Sequence, residues 1–406
     1  MTLRTSWLAL ALAGALLAPA AHADPITVLF VGNSYTFGRV DPVMSYNTGR
    51  VNDLTEAMWL SNPSGSNVYE PHPWGGVPGI FERLTAQAGL DYQVSISARN
   101  AASLRGQLLN TNPAGWDLRG NIGSQAWDQI VLQEQSSEAL PRQPGLSSNP
   151  EYTQLYTDLI ENWAHQGAAK TYRERDYIGG TQEACIAIGY SSGACSTVRN
   201  LPANANASVD TQVYLYQTWA RPNLVDGAFV TNTDEVTGLV TRTDTPATTV
   251  FDNLEQMTDQ LRVAYEAAAL NAAADGSGGL AGIAPVGQSF LRAVTEGIAT
   301  RDMWADDAGT DGLIDLWFDD GTHASTYGSY LSALTLYGTL TGLDPALFGA
   351  GELAAQELGI NATDAVALQR IASAQLGFTP PVPEPATALL ALAGLAVISR
   401  RLRRSV

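Results

Sequence analysis

The chain offers few groups able to move a proton near neutral pH. Apart from His22 close to the N-terminus, its histidines are His72, His165 and His323, and histidine is the usual general base in that range. His72 stands between prolines in EPHPWGG, and His165 closes a helical stretch in ENWAHQG; both settings suit a structural or solvated side chain. His323 differs, because it follows Asp320 by three residues in WFDDGTHAST and directly precedes a helical pattern. On one tight turn, an Asp-x-x-His pair lets the carboxylate accept from Nδ1 and fix the tautomer, leaving Nε2 to take a proton from a hydroxyl elsewhere. The hydroxyl that fits is Ser34. The apolar run 26–31 stops on Gly32-Asn33-Ser34, a turn sequence at the carboxyl end of a strand that reads as buried on both faces. Ser34, Asp320 and His323 are therefore the candidate catalytic residues, and the chemistry they suit is nucleophilic acyl transfer.

Three rival constellations compete. Gly189-Tyr190-Ser191-Ser192-Gly193 matches the G-x-S-x-G elbow of α/β-hydrolases, with Ser191 ahead of Asp320 and His323 in the order that family uses. That elbow needs a helix directly after its serine, whereas STVRNLPANANAS is rich in Asn and Pro, and the flanking Cys185 and Cys195 suggest a pinched loop. Asp302, Asp306, Asp307, Asp311, Asp315, Asp319 and Asp320 crowd one region that could hold calcium. No twelve-residue ligand pattern with a closing Glu appears, so an acidic solvated loop is expected, with no metal and no cofactor. Trp59, Trp74, Trp116 and Tyr69 could stack on sugars in a non-catalytic, surface-displayed carbohydrate-binding protein, or equally anchor loops by packing inward. The set Ser34, Asp320 and His323 speaks against that, since a binder has no need of a base.

A scaffold must bring these groups together. Short apolar runs at 26–31, 92–97, 129–133, 212–216 and 280–286 predict buried strands, with helical patterns at 80–88, 152–165, 253–273 and 325–337. Strands alternating with helices imply an α/β fold, a three-layer α/β/α sandwich around a five-stranded parallel sheet. The polar stretches 39–76, 172–208 and 226–249 are too long for ordinary connections and are expected to be insertions able to shape a substrate cleft.

The 406 residues hold 22 Lys and Arg against 40 Asp and Glu, a formal net charge of −18. Arg4, Arg400, Arg401, Arg403 and Arg404 lie at the two ends, so the remainder is more acidic still and no nucleic-acid partner is expected. Residues 1–23 combine Arg4, an apolar stretch from Trp7 to Leu17 and Ala21-His22-Ala23; they read as a signal peptide cleaved before Asp24. In an exported chain Cys185 and Cys195 are expected to form a local disulfide, and without a nearby histidine they make a poor metal site. Residues 24–380 are expected to form the folded domain. In 381–406, Pro383-Glu384-Pro385 leads into an apolar stretch too short for a stable span, then into the arginine cluster.

That tail resembles the PEP-CTERM sorting signal of Gram-negative bacteria. The resemblance implies processing by an exosortase, transient membrane association, export to the periplasm, cell surface or medium, and a link with exopolysaccharide production. Most of the remaining chain resembles the SGNH, or GDSL-type, hydrolases. Block I is Gly32-Asn33-Ser34-Tyr35-Thr36, a third block is Leu132-Gln133-Glu134-Gln135-Ser136, and block V is Asp320-Gly321-Thr322-His323, with further block-like similarity in VYLYQTWARPN and IAPVGQSF. The resemblance implies that Ser34 is the nucleophile and that an oxyanion hole is formed by the backbone N–H groups of Ser34 and Ala101 and the side-chain amide of Gln135. Two departures stand out: Ala101, in Asn100-Ala101-Ala102-Ser103-Leu104, replaces a glycine, and Gln135 replaces an asparagine. A backbone N–H survives the first change, although the added Cβ restricts φ, and a longer stem carries the same amide in the second. The implied activity is that of a carboxylic ester hydrolase, a serine esterase removing acetyl or other short acyl groups from extracellular polysaccharide through an acyl-enzyme. Its partner would be an acylated carbohydrate or small ester. A lipid esterase or thioesterase of the same fold is the alternative; the segment 39–76 is mixed rather than apolar, unlike the cover of a lipid site.

Overall fold

Parallel strands cannot be joined by tight hairpins, so a chain of buried apolar runs must cross over between them, usually by a helix. The computed structural model describes residues 24–39, 41–61, 71–110, 117–225, 229–233, 240–246, 249–305 and 308–378. Its strands are β1 (Ile26–Gly32), β2 (Val51–Asp53), β3 (Tyr92–Ala98), β4 (Gln129–Gln133), β5 (Lys170–Arg173), β6 (Val198–Leu201), β7 (Gln212–Tyr216), β8 (Phe229–Thr233), β9 (Val240–Pro246) and β10 (Gly282–Ala284). Six of them make one sheet in the order β10-β7-β4-β1-β3-β2, every pair parallel. The fold is an α/β/α sandwich. Central β1 runs between β3 and β4, and Val28, Leu29, Phe30 and Val31 are wholly buried. The chain leaves β1 in both directions, so right-handed crossovers set helices on both faces. Helix Gly76–Gln87 packs against Thr326–Thr341, and Pro150–His165 packs against Leu254–Ala273.

The sheet has one strand more than the five expected. The sixth, β2, lies inside 39–76, which is thus in part sheet rather than wholly an insertion. Val51-Asn52-Asp53 carries no apolar run because an edge strand pairs on one side only; Val51 is buried while Asn52 is exposed. Of the run 280–286 only Gly282–Ala284 pairs, since Pro285 has no N–H to give the ladder and Val286 opens the helix Val286–Thr295. Of the other long segments, 172–208 holds the antiparallel pair β5–β6 and the disulfide Cys185–Cys195, with Cα atoms 6.0 Å apart. Segment 226–249 holds the antiparallel pair β8–β9.

Helix Gly76–Gln87 starts four residues before its apolar pattern does, through GVPG. A proline in the first turn gives up an N–H that has no intrahelical acceptor anyway. Gly76 takes φ +60°, and a Cβ there would lie 2.5 Å from the Phe37 backbone, so this close approach requires glycine. Helix Thr326–Thr341 is buried all round, with Tyr330, Leu331, Leu334 and Leu336 wholly inside, and shows no polar face. Ser325 caps it by accepting from the N–H groups of Tyr327 and Gly328 at 3.1 and 3.2 Å. The signal-peptide segment 1–23 and the tail 381–406 lie outside the described residues. Among the described residues no helix is long and apolar enough to cross a membrane.

Candidate active site

The carboxyl end of β1 is shaped by Gln133 on the neighbouring strand. Its buried Oε1 accepts from the Asn33 N–H and from Thr36 Oγ1, each at 2.9 Å. A Cβ on Gly32 would sit 2.1 Å from Thr36 Oγ1 and 2.6 Å from Gln133 Oε1, so only glycine lets the strand pass this junction. Asn33 then caps the short helix Ser34–Phe37: Oδ1 accepts from the Tyr35 N–H at 3.1 Å and Nδ2 donates to the Ala102 carbonyl at 3.1 Å. Ser34 is left as the first helical residue, with its N–H in the turn that has no intrahelical acceptor. Each residue of Gly-Asn-Ser thus has a separate physical task.

Ser34 Oγ lies 2.9 Å from His323 Nε2, and His323 Nδ1 lies 2.5 Å from Asp320 Oδ2. The other carboxylate oxygen of Asp320 accepts from the N–H groups of Thr322 and His323 at 2.8 and 2.9 Å, so the carboxylate cannot turn away. Burial by itself would raise the Asp320 pKa, but the hydrogen bond and charge of His323, with these N–H groups, hold it below the usual carboxylate range. Tryptophans fasten the turn. Trp219 Nε1 donates to the Thr322 carbonyl and Trp317 Nε1 to the Ala220 carbonyl, both at 3.0 Å. Tyr35 stacks on Trp219 with centroids 4.1 Å apart and meets the His323 ring edge-on at 5.6 Å.

These groups open into a cavity of about 220 Å³ whose wall includes Ser34, Asn100, Ala101, Gln135, Arg221 and His323. Asn100 and Ala101 follow β3, Gln135 follows β4, and Arg221 follows β7, so the cavity lies off the carboxyl ends of the strands, where such sheets bind ligands. Ala101 takes φ +55°, the left-handed region that favours glycine, which explains why a glycine would be at home there. Gln135 is anchored by its carbonyl, which accepts from Ser137 N–H and Oγ at 2.9 and 3.1 Å; its amide nitrogen donates to Ser136 Oγ at 3.2 Å.

No protein-family model matches the chain, and no curated protein matches it. Among solved structures it is similar to "a putative SGNH hydrolase from Slackia heliotrinireducens", at 17% identity and TM-score 0.35, covering 78% of this chain and 100% of that one. It is also similar to a DUF4886 family protein from Bacteroides uniformis ATCC 8492, at 15% identity and TM-score 0.40, covering 87% and 95% of the two chains.

The other candidates are placed elsewhere. Ser191 does precede a short helix, Ser192–Ser196, contrary to expectation, but its Oγ serves as the N-cap, accepting from the Ala194 N–H at 3.1 Å. His72 is buried with Nδ1 2.6 Å from Asp53 Oδ2, stacked on Trp74. His165 is also buried rather than solvated; its hydrogen bond to Glu161, at 2.6 Å, leads the causes that raise its pKa. Trp74 is wholly buried between Phe37 and His72, which removes it as a sugar platform. The Trp59 side chain, Tyr69 and Trp116 lie outside the described residues. In the Asp-rich loop, Asp302 and Asp311 accept from the N–H groups of Trp304 and Leu313, while Asp306 and Asp307 lie outside the described residues. The described carboxylates close enough to share a cation are instead Asp158, Glu161 and Asp275, and Glu161 already accepts from His165, Ser277 and Gly279.

Two groups at the site lie within blocks quoted from the sequence but are given no role by them. Glu134 is wholly buried, with Oε1 accepting from the N–H groups of Leu104 and Gln135 at 2.9 and 2.7 Å. Burial, then the charge of Glu138, pushes its carboxyl up to about 8. Arg221 donates from Nη1 to Ser136 Oγ at 3.1 Å and from Nη2 to Thr322 Oγ1 at 3.3 Å. Its position shortly after the fourth apolar run, at the ligand-binding edge of the sheet, is the signal in TWARPN that could have marked it.

Proposed function

We propose that the protein is a serine esterase that removes acetyl or other short acyl groups from extracellular polysaccharide. The observation that carries this is the hydrogen-bonded line from Ser34 through His323 to Asp320 at the mouth of a small cavity. In the reaction, Ser34 Oγ attacks the ester carbonyl while its proton passes to His323 Nε2. Asp320 orients the imidazole and stabilises the imidazolium. The N–H groups of Ser34 and Ala101 and the Gln135 amide stabilise the oxyanion. His323 returns the proton to the departing sugar alkoxide, leaving Ser34 acylated; water, deprotonated by His323, then adds to the acyl carbon and releases the acid with Ser34 restored.

Size and wall chemistry favour a short acyl group. Cavities for drug-sized ligands begin at roughly 300 Å³, and the volume here is about 220 Å³. A wall containing Asn100, Gln135 and Arg221 suits a long lipid chain poorly. The apolar leader and the Pro-Glu-Pro tail support export and surface display, hence a polymeric substrate outside the cell.

The test is acetate release from p-nitrophenyl acetate and from acetylated glycans by wild type and Ser34→Ala. The expected loss on substitution is roughly a thousandfold or more. Activity that survives in Ser34→Ala would overturn the assignment.

A further inference from the structure

Arg221 places a cation without a counter-charge in the wall of the cavity. Its Nη1 and Nη2 donate to Ser136 Oγ and Thr322 Oγ1, both neutral, its Nε is buried without an acceptor, and among the described residues no carboxylate pairs with it. Among the described residues that line the cavity none is acidic. In a chain of net charge −18, this unpaired cation stands against the overall composition beside Ser34 and His323. Holding a half-buried guanidinium unpaired is unfavourable, and linking two hydroxyls would not by itself call for a positive charge.

The fork also has capacity to spare. Each terminal guanidinium nitrogen carries two N–H groups and uses one on a hydroxyl, leaving one on each, the pairing that a carboxylate accepts in bidentate fashion. Ser136 follows the proposed oxyanion donor Gln135, and Thr322 precedes the proposed proton carrier His323, so the fork spans the two sides of the reacting ester.

We infer that Arg221 reads a carboxylate on the substrate and that the preferred substrates are anionic esters. The carboxylate belongs either to the sugar, as in an acetylated uronate, or to the acyl group, as in a dicarboxylic half-ester on a neutral sugar. This rests on the esterase function proposed above and adds the charge of the substrate to it.

The experiment compares kcat/KM on acetylated oligogalacturonate, succinylated xylo-oligosaccharide and acetylated xylo-oligosaccharide, for wild type, Arg221→Gln and Arg221→Lys. Wild type is expected to favour at least one anionic ester over the neutral one by roughly 10- to 100-fold, the range for a hydrogen bond to a charged partner. Which anionic ester it favours identifies the source of the carboxylate. Arg221→Gln should remove that preference chiefly through KM, and Arg221→Lys should keep part of it. Equal treatment of all three esters by wild type, or a uniform loss on all three in Arg221→Gln, would overturn the inference; a uniform loss is what a mere clamp between Ser136 and Thr322 predicts. Calorimetric titration of Ser34→Ala, with and without Arg221→Gln, using the same oligosaccharides supplies a readout that needs no turnover. Selective binding of an anionic ligand that vanishes with Arg221→Gln upholds the inference even if no ester is cleaved, and indifference to charge sinks it.

Discussion

His323 Nε2 reaches Ser34 Oγ at 2.9 Å across 289 residues of sequence, while the opposite ring nitrogen is held by Asp320 on its own turn. The Asp320–His323 pair is therefore assembled locally and meets the hydroxyl as a unit. That meeting depends on Trp219, which holds the Thr322 carbonyl and stacks under Tyr35, the residue directly after Ser34. The two halves of the site share one aromatic support, so Ser34 and His323 are kept in register by packing as well as by the hydrogen bond between them.

Asp320→Asn tests the orienting role. The Asn carbonyl can still accept from the N–H groups of Thr322 and His323, so the turn and the melting temperature should survive. Its amide, however, would donate to Nδ1 and place the imidazole proton on Nε2, the atom that must accept from Ser34. Turnover of p-nitrophenyl acetate should fall by roughly a thousand- to ten-thousandfold. A fall of less than tenfold with an unchanged melt would show that Asp320 does not set the tautomer.

Gly32→Ala tests the junction behind Ser34. The new Cβ would press on Thr36 Oγ1 and Gln133 Oε1, the acceptor that also holds the Asn33 N–H. Overpacking of this kind destabilises by roughly 1–3 kcal/mol, and displacing Asn33 should move Ser34 and lower turnover at least tenfold. Urea unfolding and turnover measured on the same preparation check both; a variant with wild-type values for each would mean that the strand end relaxes freely.

The parts of this fold that are legible in the sequence are those whose physics is local. The runs that form β1, β3, β4 and β7 are apolar because those strands are buried in the sheet, and the three-residue spacing of Asp320 and His323 marks a pair that meets on one turn. Edge strand β2 is hidden because pairing on one side needs no apolar run. The start of helix Gly76–Gln87 is hidden because Gly and Pro read as breakers, although here one permits a close approach and the other occupies a first turn. Trp74 reads as a possible exposed platform, since nothing in EPHPWGG reveals that His72 and Phe37 enclose it. TWARPN shows Arg221 but not what it touches, because its partners Ser136 and Thr322 lie 85 and 101 residues away, a separation with no sequence period.

Ala101→Gly should stabilise the protein. At φ +55° an alanine carries a left-handed penalty that glycine escapes, about 1 kcal/mol, partly offset by the greater freedom of glycine in the unfolded chain. A net gain of roughly 0.5 kcal/mol is expected, with turnover of p-nitrophenyl acetate kept or raised because glycine retains the backbone N–H at this position. A lower urea midpoint would mean that the alanine methyl makes contacts worth more than the backbone strain.

Glu134→Gln separates burial from charge beneath the site. The folded carboxyl titrates at about 8, against 4.5 for an ordinary glutamate. Below pH 4.5 it is protonated in both folded and unfolded chains, and its contribution to stability is fully present. Between 4.5 and about 8 the unfolded chain ionises while the folded carboxyl keeps its proton, so stability drains away as the pH rises, and above about 8 the loss is complete. Glutamine cannot ionise, yet its carbonyl can still accept from the N–H groups of Leu104 and Gln135. The variant should therefore match wild type near pH 4.5 and exceed it near pH 8.5 by roughly 2–4 kcal/mol. Urea unfolding at those two pH values measures the difference directly. A gap that stays constant with pH would mean that Glu134 is already ionised in the folded protein and that its hydrogen bonds to Leu104 and Gln135 outweigh its burial.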